Sequence, residues 1–290
     1  MGEGNKVYVI SSVKEIQAIC KKFVKEGKTI GFVPTMGSLH EGHLALMEQA
    51  RQENDVVVAS VFVNPLQFGP DEDFEAYPRD IEGDEQKATQ AGVDYFFCPE
   101  ASEIYPENSV TTLKVISRND VLCGRKRPGH FDGVVTILLK LFNLVSPDRV
   151  YMGLKDAQQV AVVQGLVDDY NMSVEIVPVP TVRERDGLAK SSRNVYLTET
   201  ERVKAPLIYQ CLKETQKWIE EKERTSADVI AYLHKKLEKS KGEVEYVEVY
   251  HYPDLQPINE IKGRVILAVA VKFSRARLID NLIVEMGGGC

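Results

Sequence analysis

Two of the chain's five histidines, His40 and His43, lie three positions apart in the stretch PTMGSLHEGH (residues 34 to 43), directly after the apolar run Thr29 to Val33. Positions i and i+3 share one face of a helix, so the two imidazoles can act on the same ligand. Three chemistries fit such a pair. A metal site would use both rings as ligands, but the spacing is not H-E-x-x-H and no nearby Cys or third His completes a coordination set, so no metal ligand is assigned. A pair of satisfied surface histidines is the plainest alternative. The third possibility is an anion site: Gly37, Ser38 and Gly42 let backbone approach a ligand closely, and a helix opening near Gly42 offers unpaired N–H groups to a phosphate. Imidazoles placed there can donate hydrogen bonds as charge builds on phosphate oxygens.

Charge distribution bears on the choice. The formal net charge of −7 argues against a nucleic-acid surface. Yet Arg125, Lys126, Arg127, Lys155, Arg183, Arg185, Lys190 and Arg193 gather in the middle of the sequence. Local positive charge in an acidic chain suits a small polyanion such as a nucleoside triphosphate. Two common phosphate motifs are absent: the triplet Gly27-Lys28-Thr29 precedes its strand and has Lys22 where a P-loop needs glycine, and no G-x-G-x-x-G opens a helix. The five cysteines form no C-x-x-C pair and are odd in number, which indicates reduced thiols rather than a disulfide framework or zinc ribbon. The longest apolar runs fall well short of the ~20 residues of a membrane helix, and the opening MGEGNK lacks a signal-peptide core. A cytoplasmic protein without membrane or nucleic-acid partners is expected.

The elements that must position these residues alternate. A strand at 29 to 34, a helix from about 42 to 50, and the continuous apolar run Val56 to Val63 come first. A charged helix near 80 to 91, strand candidates VDYFFCP and VTTLKVIS, an apolar helix over Val134 to Val145, the strand RVYMG, the helix AQQVAVVQGLVDDYN and the strand VEIVPVP follow. Strands that are apolar throughout are buried on both faces, as in parallel sheets covered by helices. The fold expected is therefore α/β, a Rossmann-like doubly wound parallel sheet with ligands at the carboxyl ends of its strands. Beyond about residue 186 the pattern changes to one long helical region, 199 to 239, and three strands at 244 to 252, 264 to 273 and 277 to 284, which predicts a smaller C-terminal α+β domain. The domain division expected is 1–185 and 186–290, with the terminal GGGC a frayed end.

H-x-G-H after the first strand resembles the signature of the nucleotidyltransferase superfamily. The wider set PTMGSLHEGH, SVFVNPLQFGPDEDFEAYPRD, GRKRPGHFDGV, GLKDAQQ, PTVRERDGLAKSSRNVYL and ARLIDN resembles the pantothenate synthetase family in order from about residue 29 to 284. The resemblance implies that the carboxylate of pantoate attacks ATP to give an adenylate and pyrophosphate, and that the amine of β-alanine then displaces AMP. It places Met36, Gly37, Ser38, Leu39, His40, Glu41, Gly42 and His43 along ATP, with His40 and His43 on the phosphates and His43 as the proton donor. Gly153, Leu154, Lys155 and Asp156 form a second ATP block in which Lys155, the third catalytic candidate, meets the phosphates; a plain surface cap by Asp156 is the alternative. Val182 flanks adenine, and Lys190, Ser191, Ser192 and Arg193 form the third block. Lys190 stands where the family has an apolar residue; its head is expected to stay in water, the alternative being that it adds a cation on the phosphates. Gln67 and Gln159 are expected to bind pantoate's hydroxyls and carboxylate, because an amide both donates and accepts. Asn64, Tyr77, Arg127 and His130 are expected to border the pocket for pantoate and β-alanine, while Arg125 and Lys126 read as a solvated loop. Mg²⁺ held mainly by ATP phosphates and a homodimeric state are further implications of the resemblance.

Overall fold

The computed structural model describes residues 7–70, 72 and 74–287. The opening hexapeptide, Asp71 and Asp73 of the acidic loop, and the last three residues with Cys290 lie outside them. In chain order the elements are β1 (Tyr8–Ile10), α1 (Val13–Lys25), β2 (Ile30–Thr35), α2 (Glu41–Glu53), β3 (Val56–Val61), α3 (Ile81–Gln90), β4 (Tyr95–Phe97), α4 (Ala101–Ile104), α5 (Leu122–Lys126), α6 (His130–Val145), β5 (Arg149–Gly153), α7 (Ala157–Asp169) and β6 (Glu175–Val179). Then come α8 (Glu199–Lys204), α9 (Leu207–Glu220), α10 (Ser226–Leu237), β7 (Glu243–His251), β8 (Gly263–Lys272) and β9 (Arg277–Met286).

The chain divides into two units. The first comprises residues 1–117, 127–154 and 162–180; the second comprises 118–126, 155–161 and 181–290. In the first unit six parallel strands lie in the order β1-β4-β3-β2-β5-β6. The chain runs outward from β2 through β3 to β4 in one direction, then restarts at β5 and runs to β6 in the other. The reversal falls between β2 and β5, where a doubly wound sheet opens a crevice at its carboxyl edge. All six residues of β3 are buried, as its unbroken apolar pattern requires. Helix α2 packs on β2, β3 and β5, while α1 and α6 contact β2 and each other, with Phe32 meeting Phe142 edge-on at 6.5 Å. Burying a Val or Phe side chain contributes about 1.5–3 kcal/mol, so this double cover is what holds the sheet.

Two polar devices tie the first unit together. The buried Asn54 donates to Ala50 O (2.8 Å) and Tyr151 Oη (2.7 Å), joining the end of α2 to β5. Gly133 on α6 lies so close to the 64–67 turn that an added Cβ would stand 2.2 Å from the carbonyl oxygen of Leu66. The cysteines Cys20, Cys98, Cys123 and Cys211 are all free thiols. Burial pushes the thiols of Cys20 and Cys98 up to about 12.

The second unit carries the antiparallel sheet β7-β8-β9. Leu212, Ile219, Leu233 and Leu237 from α9 and α10 share one core with Val265, Leu267 and Val269 of β8. The long helical region expected over 199 to 239 is three helices. Pro206 separates α8 from α9, because a proline lacks the N–H that a continuing helix needs. Thr225 opens α10 with a capping box to Asp228. The expected strand VTTLKVIS is also corrected: residues 110–116 run without turn or bend but join neither sheet, and Val110 and Ile116 are each 95% exposed. Their β-forming composition has no neighbouring strand to satisfy.

Replacing Gly133 by Ala should lower stability by about 1–3 kcal/mol through the collision with the 64–67 turn, although alanine favours a helix by about 1 kcal/mol over glycine. Urea unfolding of the two proteins measures the difference, and an unchanged midpoint would mean that helix and turn separate freely.

Candidate active site

In the first unit three candidate blocks follow the carboxyl end of a strand: 36–43 after β2, 64–67 after β3, and 153–154 at the end of β5. The loop after β2 turns through Gly37 (φ 86°) and Ser38 (φ 53°), both left-handed. At position 37 a Cβ would stand 2.9 Å from Val61 Cγ1, so this turn needs glycine. Asp84 of α3, 1% exposed, fixes the loop by accepting Ser38 N–H (2.8 Å) and Leu39 N–H (2.7 Å). Lys87, one turn later, donates to Leu39 O (2.8 Å). Burial pushes the Asp84 carboxyl above the usual carboxylate range, against the opposing pull of the two backbone donors.

The loop delivers His40 as the N-cap of α2. His40 Nδ1 accepts Gly42 N–H (3.1 Å), and His43 Nδ1 accepts the backbone N–H of His40 (3.3 Å), a reciprocal capping box made of two imidazoles. The rings lie 4.1 Å apart and tilted by 32°. Because each Nδ1 accepts from a backbone N–H, the ring proton of both neutral imidazoles sits on Nε2. Two N–H donors are thereby aimed away from the helix backbone, at the positive end of the α2 dipole beside the sheet's reversal point.

The block after β3 divides by what each amide does. Asn64 is fully buried: it caps the 65–67 turn by accepting Leu66 N–H (3.2 Å), accepts Tyr105 Oη–H (2.7 Å) and donates to Gly133 O (3.0 Å). Its amide is committed to the scaffold. Gln67, 8% exposed, makes no side-chain hydrogen bond among the described residues, while its carbonyl accepts from Arg127 Nη2 (3.2 Å) and faces His130 Nδ1 (2.8 Å). Arg127 forms a fork with Glu72, Nε and Nη2 each 2.6 Å from a carboxylate oxygen. Burial, the largest single influence, pushes the Glu72 carboxyl up, but the hydrogen bond and charge of Arg127, with smaller help from the Gly69 backbone and His130, together hold the group below the usual carboxylate range. Tyr77 is buried and packs edge-on against Phe68 at 5.9 Å.

In the second unit, Gln158 and Gln159 are neighbours with different fates. Gln158 donates to Arg118 O and Val121 O and accepts Cys123 N–H, whereas Gln159 makes no such bonds among the described residues. Lys155 pairs with Asp156 at 3.7 Å, and its carbonyl accepts Asn281 Nδ2–H at 3.0 Å. Residues 182–190 form a tight hairpin turning at Gly187, with Lys190 N–H on Val182 O (2.9 Å). Arg183 anchors it, forked onto the buried Asp280 (2.6 and 2.9 Å) and stacked 3.4 Å over Tyr209. Ser191 caps the 192–196 turn by accepting Arg193 N–H at 3.2 Å.

One expectation needs correcting. The Lys190 head is not left to solvent: its side chain is 20% exposed and Nζ sits 3.1 Å from Glu184 Oε2, because the hairpin brings the pair opposite one another. Arg125 and Lys126 are exposed, as expected, and each reaches a carboxylate of β7, Glu248 (3.1 Å) and Glu245 (3.7 Å) respectively. Asp84 and Glu72 were not singled out by the sequence, since each sits in a run of acidic residues where no spacing distinguishes the one that turns inward. Among the described residues no group of three or more His, Cys, Asp or Glu side chains is placed to hold a metal ion. No helix among them is long and apolar enough to cross a membrane.

A doubly wound sheet whose reversal point carries an H-x-G-H helix start defines a nucleotide-binding α/β enzyme of the nucleotidyltransferase type. The profile of the Pantoate-beta-alanine ligase family matches residues 8–283. The pantothenate synthetase of Bacillus subtilis (strain 168) is 57% identical over 96% of this chain and 97% of its own length. That of Geobacillus thermodenitrificans (strain NG80-2) is 59% identical over 96% of each. Among solved structures, pantothenate synthetase from Thermus thermophilus superposes with a TM-score of 0.89 at 45% identity, covering 95% of this chain and 99% of that one. The pantoate-beta-alanine ligase from Francisella tularensis, solved with a β,γ-ATP compound and β-alanine, gives 0.79 at 34% identity, covering 96% and 97%. The chain belongs to the pantoate–beta-alanine ligase family and is a carbon–nitrogen ligase.

Replacing Asp84 by Ala leaves two loop N–H groups without their acceptor, a loss of about 1–3 kcal/mol each where burial is complete. The Michaelis constant for ATP should rise about tenfold, with the helices intact by circular dichroism. An ATP constant within twofold of wild type would show that the loop holds its shape unaided.

Proposed function

We propose that the His40–His43 pair is the adenylation centre of an enzyme that condenses pantoate with β-alanine, using ATP and passing through a pantoyl adenylate. The observation that carries this reading is the reciprocal imidazole cap, which fixes both Nε2–H donors at a helix N-terminus beside the sheet's reversal point. In the first step a carboxylate oxygen of pantoate attacks the α-phosphorus of ATP; the P–O bond to the β-phosphate breaks and pyrophosphate leaves with the electron pair. Negative charge grows on the phosphoryl oxygens, where preorganised N–H donors stabilise it most. In the second step the neutral amine of β-alanine attacks the acyl carbon, the C–O bond to AMP breaks, and the ammonium proton is lost.

The other residues take roles by family membership. Backbone of 36–43 and 153–156 lies along the nucleotide, Lys155 and the Lys190–Arg193 block meet its phosphates, and Val182 flanks adenine. The amides of Gln67 and Gln159, uncommitted within their own units, take pantoate. Mg²⁺, as the counter-ion expected with ATP, would supply positive charge to the phosphates, and no protein ligand is assigned to it. The enzyme works in the cytoplasm as a homodimer; a molar mass in solution at the monomer value would refute the last point.

Release of AMP should require ATP, pantoate and β-alanine together. Exchange of labelled pyrophosphate into ATP should require pantoate and ignore β-alanine; exchange that needs β-alanine would exclude a free-standing adenylation step. His40→Ala and His43→Ala should each lower kcat by about 10²- to 10³-fold without loss of fold. A loss below fivefold in both would remove the imidazoles from the chemistry.

A further inference from the structure

The main chain of Gln67 is fixed by hydrogen bonds, while its side-chain amide makes none among the described residues. Its carbonyl can only accept, so His130 carries its proton on Nδ1 and donates it there at 2.8 Å. His130 Nε2 is then an acceptor, and Arg127 Nη1 lies 3.0 Å from it. Arg127 Nη2 gives a second hydrogen bond to the same carbonyl at 3.2 Å. The fork from Glu72 takes Nε–H and the other Nη2–H, 2.6 Å each. Four of the five guanidinium N–H groups are thus assigned to protein atoms, and a planar guanidinium held at four points has one orientation. Arg127, expected to border the pocket, is turned toward the backbone of the residue that carries the uncommitted amide.

We propose that Glu72 is a positioning residue: by holding Arg127 against His130 and the Gln67 carbonyl, it fixes the point from which the Gln67 amide engages the hydroxy acid. Arg127 and His130 act through Gln67 rather than on substrate atoms. The inference rests on the reading of Gln67 as a pantoate ligand. A pocket residue displaced by a fraction of an ångström forfeits much of its binding, so a group with no substrate contact can control affinity.

The test is a double-mutant cycle on pantoate binding, using Glu72→Ala, Gln67→Ala and the double variant, read by calorimetry with pantoate and by Michaelis constants for pantoate and ATP. Glu72→Ala should weaken pantoate binding about tenfold while the ATP constant stays within twofold, and the double variant should be no more than twofold weaker than Gln67→Ala. Glu72→Gln, which keeps the shape and one acceptor, should fall between wild type and Glu72→Ala; it replaces the alanine variant in the cycle should that one fail to fold. Effects of Glu72→Ala and Gln67→Ala that multiply would overturn the inference, because Glu72 would then act independently of Gln67. So would an unchanged pantoate affinity in both Glu72 variants. If Gln67→Ala leaves pantoate binding intact, the role given to Gln67 itself falls, an outcome distinct from failure of the positioning step.

Discussion

The site depends on a carboxylate that never needs to meet a substrate. A loop that leaves a buried strand, turns twice through left-handed backbone and enters a helix exposes several N–H groups that the fold itself cannot pair. Asp84 answers two of them from α3, with Lys87 answering a carbonyl in the same stretch. Only then is the backbone of His40 held where its own ring and that of His43 can close on the first turn of α2. The energetic sense is that of any buried charge: desolvation of Asp84 is unfavourable, and the hydrogen bonds that offset it are the ones that shape the loop.

The imidazoles illustrate how a local hydrogen bond sets a chemical identity. A histidine in water exchanges its proton between two nitrogens, and neither tautomer is reserved for a task. Here a backbone N–H occupies Nδ1 of each ring, so the outward nitrogen of the neutral form is a donor. His130 shows the opposite choice, with its proton directed inward to a carbonyl and its lone pair facing a guanidinium. Three histidines in one unit thus divide between the two tautomers, each dictated by the main chain beside it.

Much of this was legible in the sequence, and the failures have physical reasons. Unbroken apolar runs such as Val56 to Val61 announced a sheet covered on both sides, and the H-x-G-H spacing announced a helix start with two rings on one face. The partners of those residues were not legible, since Asp84 is one carboxylate among Glu82, Asp84 and Glu85, and which of them turns inward depends on the way α3 faces. The adjacent Gln158 and Gln159 are indistinguishable in type, and the first is absorbed by backbone groups of 118–123 while the second is not. The segment 110–116 has the composition of a strand, but pairing needs a neighbour that composition alone does not supply. Lys190 read as a solvated head because its partner, Glu184, becomes close only when the chain doubles back at Gly187.

The bare contact between Gly133 and the Leu66 carbonyl reaches beyond stability. With no side chain interposed, α6 packs directly on the turn that carries Gln67, and Asn64 ties the two together through the Gly133 carbonyl. On the proposed reading of Gln67 as a pantoate ligand, that wall of the pocket has no adjustable spacer by which drift or design could widen it gradually. Acceptance of a bulkier or smaller hydroxy acid would have to come from side chains on the facing elements, and the Gln67 wall would serve as the fixed ruler against which any new substrate is measured.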